Sequence, residues 1–574
     1  MNIFENYLSI INKLILNNKN NLKLDNLDSI NNINLEVPPE LFNYDLSCNV
    51  SLVLGKLNKL NPKDLANQLK ILFENKIKDF EKVDIAGPGF LNIKLSKIAL
   101  IDNINTILKD DKNYGSSKSS ETYNIEFVSA NPTGPMHVGH CRGAIYGDVL
   151  ANLLKFNGNK VTKEYYVNDY GNQIKNFVES VFCRIREIKF GDKFPVKENL
   201  YPGLYIKDIA QKILDKNKGM QFNDFKKNFE FLKEKALIES MGLIKNDLNL
   251  LGISHDYFFS ESDLVKKDLV NTVVKKLSEK KFVEEGFLDP PKGEVDESWK
   301  KTKRLIFKST LFGDDSDRAL QKNDGTWTYF ANDVAYHMDK INRNYNNLIN
   351  VLGADHTGYI KRITAAVSAI SENKVKLNCK VCQLVKLYKD GKPFKMSKRA
   401  GEFISAQDLL NEVDKDSLRF MMLNRSNDVE LDFDFDKVKE KTKDNPVFYV
   451  QYAFARINSL HRTLNINLES NIVLNEKLFF LNPNEEKIIR KILEWPKVIE
   501  SASKKFEVHK IPFYLYDLST LFHSYWSKGN KDKKFKFIEN NKIKRNETLA
   551  IIKLINVVIK NGMKILGVSL PEKM

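Results

Sequence analysis

The chain has 574 residues, 42% hydrophobic and 29% charged, with five cysteines. That composition excludes a disordered chain and a disulfide scaffold, and the length admits roughly four domains. A net charge of +16 allows an acidic partner such as RNA, DNA or an anionic membrane, or else a Lys-rich bias on solvated faces.

At the N-terminus Ile3, Phe4, Tyr7, Leu8, Ile11 and Leu14 recur at helical spacing. Glu5 comes early and no small-residue cleavage site follows, which argues against a secretory signal. Helical patterns then alternate with short strands as far as residues 83–95, which fold about the turn Gly87-Pro88-Gly89. A small α+β domain over 1–110 is predicted. The polar stretch 109–120 reads as a linker. A strand is expected over 123–129, a turn at Asn131-Pro132-Thr133-Gly134-Pro135, a helix from 137 to about 157, and a strand over 160–167. Strand, helix, strand is the unit of a parallel α/β sheet, here placed in a domain over 111–435. Residues from about 170 to 300 are mostly helical and Lys/Glu-rich, which predicts an insertion. Strand patterns return at 302–309, 348–352 and 381–388. From 436 to 574 the apolar spacing is helical, which predicts an all-α domain. No apolar run reaches the ~20 residues of a membrane helix. The odd, scattered cysteines (48, 141, 183, 379 and 382) predict reduced thiols and a cytoplasmic address.

Two constellations carry chemistry. In Pro135-Met136-His137-Val138-Gly139-His140 a pair of histidines opens a helix just after a strand and turn. Ligands of open α/β sheets bind there, and a helix N-terminus favours phosphate. Imidazoles three residues apart share a face and can donate to phosphate oxygens, and Gly139 leaves room for a nucleoside. Capping histidines or half a metal site are the plainer alternatives. The second constellation, residues 391–401, sets Lys392, Lys395, Lys398 and Arg399 between glycines. Such a loop can close over a polyphosphate and neutralise it, and the plainer alternative is one more exposed Lys-rich loop.

The HVGH and KMSKR elements resemble the two signatures of class I aminoacyl-tRNA synthetases. Their surroundings are more specific: residues 126–140, 324–337 (DGTWTYFANDVAYH), 353–359 (GADHTGY), 445–457 (NPVFYVQYAFARI) and the terminal 571–574 (PEKM) resemble arginyl-tRNA synthetase. These segments span the chain. One departure is Phe454, where relatives commonly carry His. The resemblance implies a Rossmann-like core with a small α+β domain before it and an all-α anticodon-binding domain after it. It implies that MgATP and L-arginine form arginyl-adenylate, and that the arginyl group passes to the 3′ end of tRNA(Arg). His137, His140, Lys395 and Lys398 would be catalytic; Gly139, Met396 and Ser397 would join them at ATP. Asp333 and Tyr329, four apart on one helical face, would bind the arginine side chain. Glu126, Ser129, Asn131, His140, Asp355 and His356 would line the same pocket. A guanidinium carries five donors in a plane and calls for carboxylates in a fixed arrangement. A monomer that needs tRNA before activation, with no structural metal, is implied too.

Other residues stay open. Cys379 and Cys382 form a lone CxxC, and Cys382 reads as a buried small hydrophobe. Asp355-His356 fits a ligand contact or a sheet end. Phe448, Tyr449, Tyr452 and Phe454 fit helix core or a base-stacking platform, and Tyr452 with Arg456 one turn on could meet tRNA. If the charge is functional, Arg142, Arg399, Arg456 and nearby lysines should line one tRNA-facing side. Two rival functions remain: an adenylate-forming ligase without tRNA, and a non-catalytic tRNA-binding paralogue.

Overall fold

The structure, a computed structural model, describes residues 2–39, 43–288, 302–394, 404–464, 472–539 and 542–574. The chain divides by contact into two compact units: residues 119–155 with 159–440, and residues 1–118 and 156–158 with 441–574.

The first unit is built on a five-stranded sheet. Strand β1 (Thr122–Glu126) leads through a turn into helix α1 (Val138–Phe156), which returns the chain to β2 (Lys160–Val167). Helices Asn172–Phe190, Leu204–Lys216 and α2 (Phe225–Leu250) follow, with a core of their own around Phe177, Val181, Ile209 and Leu232. Strand β3 (Tyr257–Ser260) rejoins the sheet, and α3 (Tyr329–Asn342), β4 (Asn347–Gly353) and β5 (Lys376–Cys382) complete it. The strands are parallel, in the order β5-β4-β1-β2-β3. The order switches beside β1, so a crevice opens at the carboxyl ends of β1 and β4.

Neighbouring residues of β2 show how the sheet is covered. Lys163 Nζ pairs with Asp148 of α1 at 3.0 Å. Glu164, the next residue, accepts from Tyr336 of α3 at 2.8 Å and takes both Arg343 Nη atoms, each at 2.8 Å. Successive strand residues face opposite sides, so α1 and α3 cover opposite faces.

Three expectations are refined. The mostly helical stretch expected over about 170–300 is interrupted by a strand, because Tyr257–Ser260 pairs with Glu164–Val167, and helices resume at Ser262–Lys266 and Leu269–Glu279. The strand expected over 302–309 is Arg304–Phe307, but it lies in a separate antiparallel sheet between Val283–Gly286 and Arg318–Ala319. The single strand expected over 381–388 is two: β5 stops at Cys382, and β6 (Val385–Lys389) pairs instead with Leu431–Asp434.

The second unit joins both ends of the chain. Its N-terminal part is a four-stranded antiparallel sheet in which Phe80–Ala86 and Phe90–Leu95 pair across the Gly87-Pro88-Gly89 turn. Its C-terminal part is helical: Pro446–Leu464, Pro483–Lys505, Lys510–Lys531 and Asn546–Leu566. The supposed linker anchors the two parts. Tyr114 is buried, donates to the Ile492 carbonyl at 2.7 Å, and accepts from Trp495 Nε1 at its own carbonyl at 3.1 Å. Gly115, at φ +101°, lies under that indole, and a Cβ there would stand 2.6 Å from Nε1. Arg490 adds an ion pair to Asp45 at 2.9 Å.

Candidate active site

The crevice between β1 and β4 holds a cavity of about 630 Å³. Its first wall is the turn after β1. Val128 and Ser129 stand at φ +72° and +41°, and the Ser129 N–H bonds the Phe127 carbonyl at 3.1 Å. A left-handed γ-turn centred on a β-branched residue is strained, and this one faces the cavity. It turns Ser129 back so that Oγ donates to Glu126 Oε1 at 3.0 Å and accepts the Tyr166 N–H at 3.1 Å.

The histidine turn forms the second wall. His137 and His140 lie ring against ring, with centroids 3.8 Å apart and planes tilted by 33°. The Gly139 N–H donates to His137 Nδ1 at 3.1 Å, and the His137 N–H to His140 Nδ1 at 3.3 Å. With Nδ1 accepting in both, the ring proton is assigned to Nε2, so each ring presents one donor. Burial lowers both pKa values, and His140, with His137 against it, falls to about 4. The pair is therefore neutral at pH 7. Gly139 has a reason the sequence did not suggest: a Cβ there would stand 2.9 Å from the His137 ring.

The chain that follows the basic loop meets this turn. Ser405 bridges His137, the Val138 N–H donates to the Ile404 carbonyl at 2.9 Å, and the Ala406 N–H to the Met136 carbonyl at 2.9 Å. The loop residues Lys395, Met396, Ser397, Lys398 and Arg399 lie outside the described residues. Asp247 of α2 holds the turn from behind, accepting the Met136 N–H at 2.9 Å, and burial raises its pKa to about 6.

The third wall is α3 with the ends of β4 and β5. Asp333 lines the cavity and accepts from the Tyr359 hydroxyl. Burial raises its pKa to about 6, with Glu126 adding to the rise. Glu126, Ser129, Asn131, His140, Asp355 and His356 line the same cavity. Asp355 and His356 are exposed and 3.3 Å apart, while Asn131 donates to Gln173 at 2.8 Å. Tyr329 is not among the lining residues: its ring is 73% exposed, with Lys322 Nζ 5.7 Å away. Cys382 is buried at the end of β5, and burial lifts both Cys379 and Cys382 to about 12.

Sequence reasoning passed over Tyr166, Tyr359, His337 and Asn350, all of which line the cavity. Tyr359 and His337 sit inside segments already singled out, and His337 follows Asp333 by four on α3. Glu261 was also missed. It is buried beside Asn332, which donates to it at 3.2 Å, and burial with Asp333 and Asp169 nearby raises its pKa to about 7. The idea that Arg142 faces RNA is corrected. It is buried and donates to the carbonyls of Gln383, Val429 and Ser426 at 3.1, 2.6 and 2.8 Å.

In the other unit, Arg456 stacks on Tyr452 at 4.4 Å and on Trp526 at 5.0 Å, and donates to the Tyr452 hydroxyl at 2.7 Å. These three side chains line a cavity of about 600 Å³ together with Arg462 and Lys573. Phe448, Tyr449 and Tyr452 are half-buried, whereas Phe454 belongs to the core.

A neutral histidine pair at a helix start, met by the chain that follows a basic loop at the switch point of a parallel sheet, places the fold among class I aminoacyl-tRNA synthetases. Family models agree. "tRNA synthetases class I (R), catalytic domain" matches residues 103–461, "Arginyl tRNA synthetase N terminal domain" residues 9–95, and "DALR anticodon binding domain" residues 450–574. The chain is 54% identical to an arginine–tRNA ligase of Pelagibacter ubique with all of both chains covered. It is 43% identical to one of Parvibaculum lavamentivorans over 94% of each. The structure of arginyl-tRNA synthetase from Thermus thermophilus shares the fold, with a TM-score of 0.69 at 18% identity over 94% of this chain and 96% of that one. The chain belongs to the arginyl-tRNA synthetase family.

Proposed function

We infer that the chain ligates L-arginine to tRNA(Arg), and that the cavity between β1 and β4 is where arginine and MgATP react. The observation that carries the reading is the meeting at one cavity of two chemistries: paired neutral imidazole donors, and a carboxylate held by a tyrosine hydroxyl. Asp333 takes the guanidinium, whose planar fork matches a carboxylate better than an ammonium does. Tyr329, one turn before Asp333 on α3 and outside the cavity lining, is assigned to the guanidinium side on the resemblance alone. Glu126, Ser129, Asn131, Asp355 and His356 surround the amino acid.

ATP lies along Gly139 and the β5–β6 connection. His137 and His140 donate to phosphate oxygens as charge builds at the α-phosphate, and each such donor is typically worth ~3 kcal/mol of barrier. Being neutral, they add no fixed charge that would hold pyrophosphate back. Lys395 and Lys398 supply that charge from the loop, with Met396 and Ser397 beside the nucleotide. The arginyl group then passes to the 3′ end of the tRNA, whose anticodon stem meets Tyr452 and Arg456. Activation waits for tRNA, and a monomer in the cytoplasm carries out the reaction.

Pyrophosphate exchange tests the reading. Exchange should require arginine, be absent with lysine, and rise sharply when tRNA(Arg) is added. Exchange indifferent to tRNA would favour a tRNA-free ligase, and no exchange under any condition a non-catalytic paralogue.

A further inference from the structure

Helix α3 carries a lysine with no exposure to solvent, Lys340. A buried ammonium is costly unless it is paired and hydrogen-bonded, and this one is both. Its Nζ donates to Glu126 Oε2 at 2.6 Å and to Asn350 Oδ1 at 3.2 Å, and lies 4.4 Å from the centre of the Tyr336 ring. Of the three ammonium donors two are taken by these oxygens, and the charge itself lies over the aromatic ring.

The donor directions propagate from there. With its oxygen taken, Asn350 turns its amide N–H to His337 Nε2 at 2.9 Å. His337 must accept at that nitrogen, so it carries its proton on Nδ1, which donates to the Asp333 carbonyl at 2.8 Å. Burial and the Lys340 ammonium lower the His337 pKa to about 3, which keeps this tautomer neutral. On the other side Glu126 accepts from Ser129, and Ser129 from the Tyr166 N–H. One continuous run thus joins the backbone at Asp333 to Glu126 and the strained turn, with every direction set from Lys340. The strand register makes this possible, since Asn350 and Glu126 are partners on adjacent strands.

We propose that Lys340 is a positioning residue for the arginine pocket: it holds Glu126 and, through Asn350 and His337, the turn of α3 that presents Asp333 to the guanidinium. The proposal rests on the reading that this cavity holds arginine. The ammonium also cancels the charge of Glu126. Of the two carboxylates that β1 and α3 bring to the cavity, Asp333 alone is then left to balance the substrate side chain.

The test is tRNA-supported pyrophosphate exchange by the full chain, with KM for arginine and for ATP measured separately and folding checked by thermal melting. Lys340→Met should raise the arginine KM about tenfold or more while the ATP KM stays within about threefold. Asn350→Ala, which keeps the Lys340–Glu126 pair but breaks the run, should raise the arginine KM several-fold. The double variant Lys340→Met/Glu126→Gln buries no unpaired charge, so it should melt near the parent and still show the raised arginine KM. A normal arginine KM in the double variant, or equal rises in both KM values, would reduce Lys340 to a structural ion pair and overturn the proposal. If Lys340→Met does not fold, the other two variants decide. Asp333→Asn is the control for the pocket. An arginine KM raised there but normal in the Lys340 and Asn350 variants overturns the proposal alone. A normal arginine KM in Asp333→Asn overturns the pocket and the proposal with it.

Discussion

A carboxyl group that ionises only near pH 6 responds to its occupant. Asp333 is raised to about 6 by burial, with the Glu126 charge adding to the rise, and an arriving guanidinium lowers it again by supplying the missing partner. In the free enzyme, falling pH therefore protonates Asp333 and, if Asp333 takes the guanidinium as proposed, removes the charge that balances it. The kcat/KM for arginine should fall about tenfold per pH unit below an apparent pKa near 6. His140, at about 4, and His337, at about 3, remain neutral over that range and do not contribute to the limb. Asp247 also titrates near 6, but it only accepts a backbone N–H, which a protonated carboxyl still does, and Glu261, raised to about 7, is not among the residues lining the cavity. Steady-state rates at limiting arginine between pH 8 and pH 5 measure this, and a flat profile contradicts it.

The elements that hold the site were unevenly legible. Helix α1 and strand β2 were read almost to the residue, because a long helix and an eight-residue strand have a clear period. Strand β3 was lost in the insertion, since four residues are too few to show one. The break between β5 and β6 was invisible for another reason: the run is β-like throughout, and only the pairing of β6 with Leu431–Asp434 ends the first strand. Tyr114 was hidden in a polar stretch whose composition pointed to a linker. Close approach is equally silent in sequence. Gly147 on α1 lies against Phe127, and a Cβ there would overlap the ring. Gly147→Ala should destabilise the catalytic unit by about 1–3 kcal/mol through overpacking and slow exchange, because α1 carries His140 and starts directly after His137. Denaturant melts with and without the substitution decide, and an unchanged midpoint refutes the packing argument.

Across the whole molecule, the motifs joined residues that lie far apart in the chain, and the structure brings Glu126, His137, His140 and Asp333 to one cavity. What the motifs missed is what supports them. A buried lysine among so many surface lysines has no signature in composition, and neither does Arg142, which proved to be an internal donor to loop carbonyls. The +16 charge that first suggested an acidic partner is thus an unreliable guide residue by residue. The sharper cationic feature is the stack of Arg456 between Tyr452 and Trp526, in the unit that joins the two ends of the chain. Asp333 is proposed as the carboxylate that selects arginine. Replacing it by Asn, which keeps the size and removes the charge, and measuring both KM values in tRNA-supported exchange is the most direct test. The arginine KM should rise about a hundredfold or more, as expected for a lost charged hydrogen-bond partner, with the ATP KM nearly unchanged. Equal loss for both substrates, or an arginine KM that does not move, would contradict it.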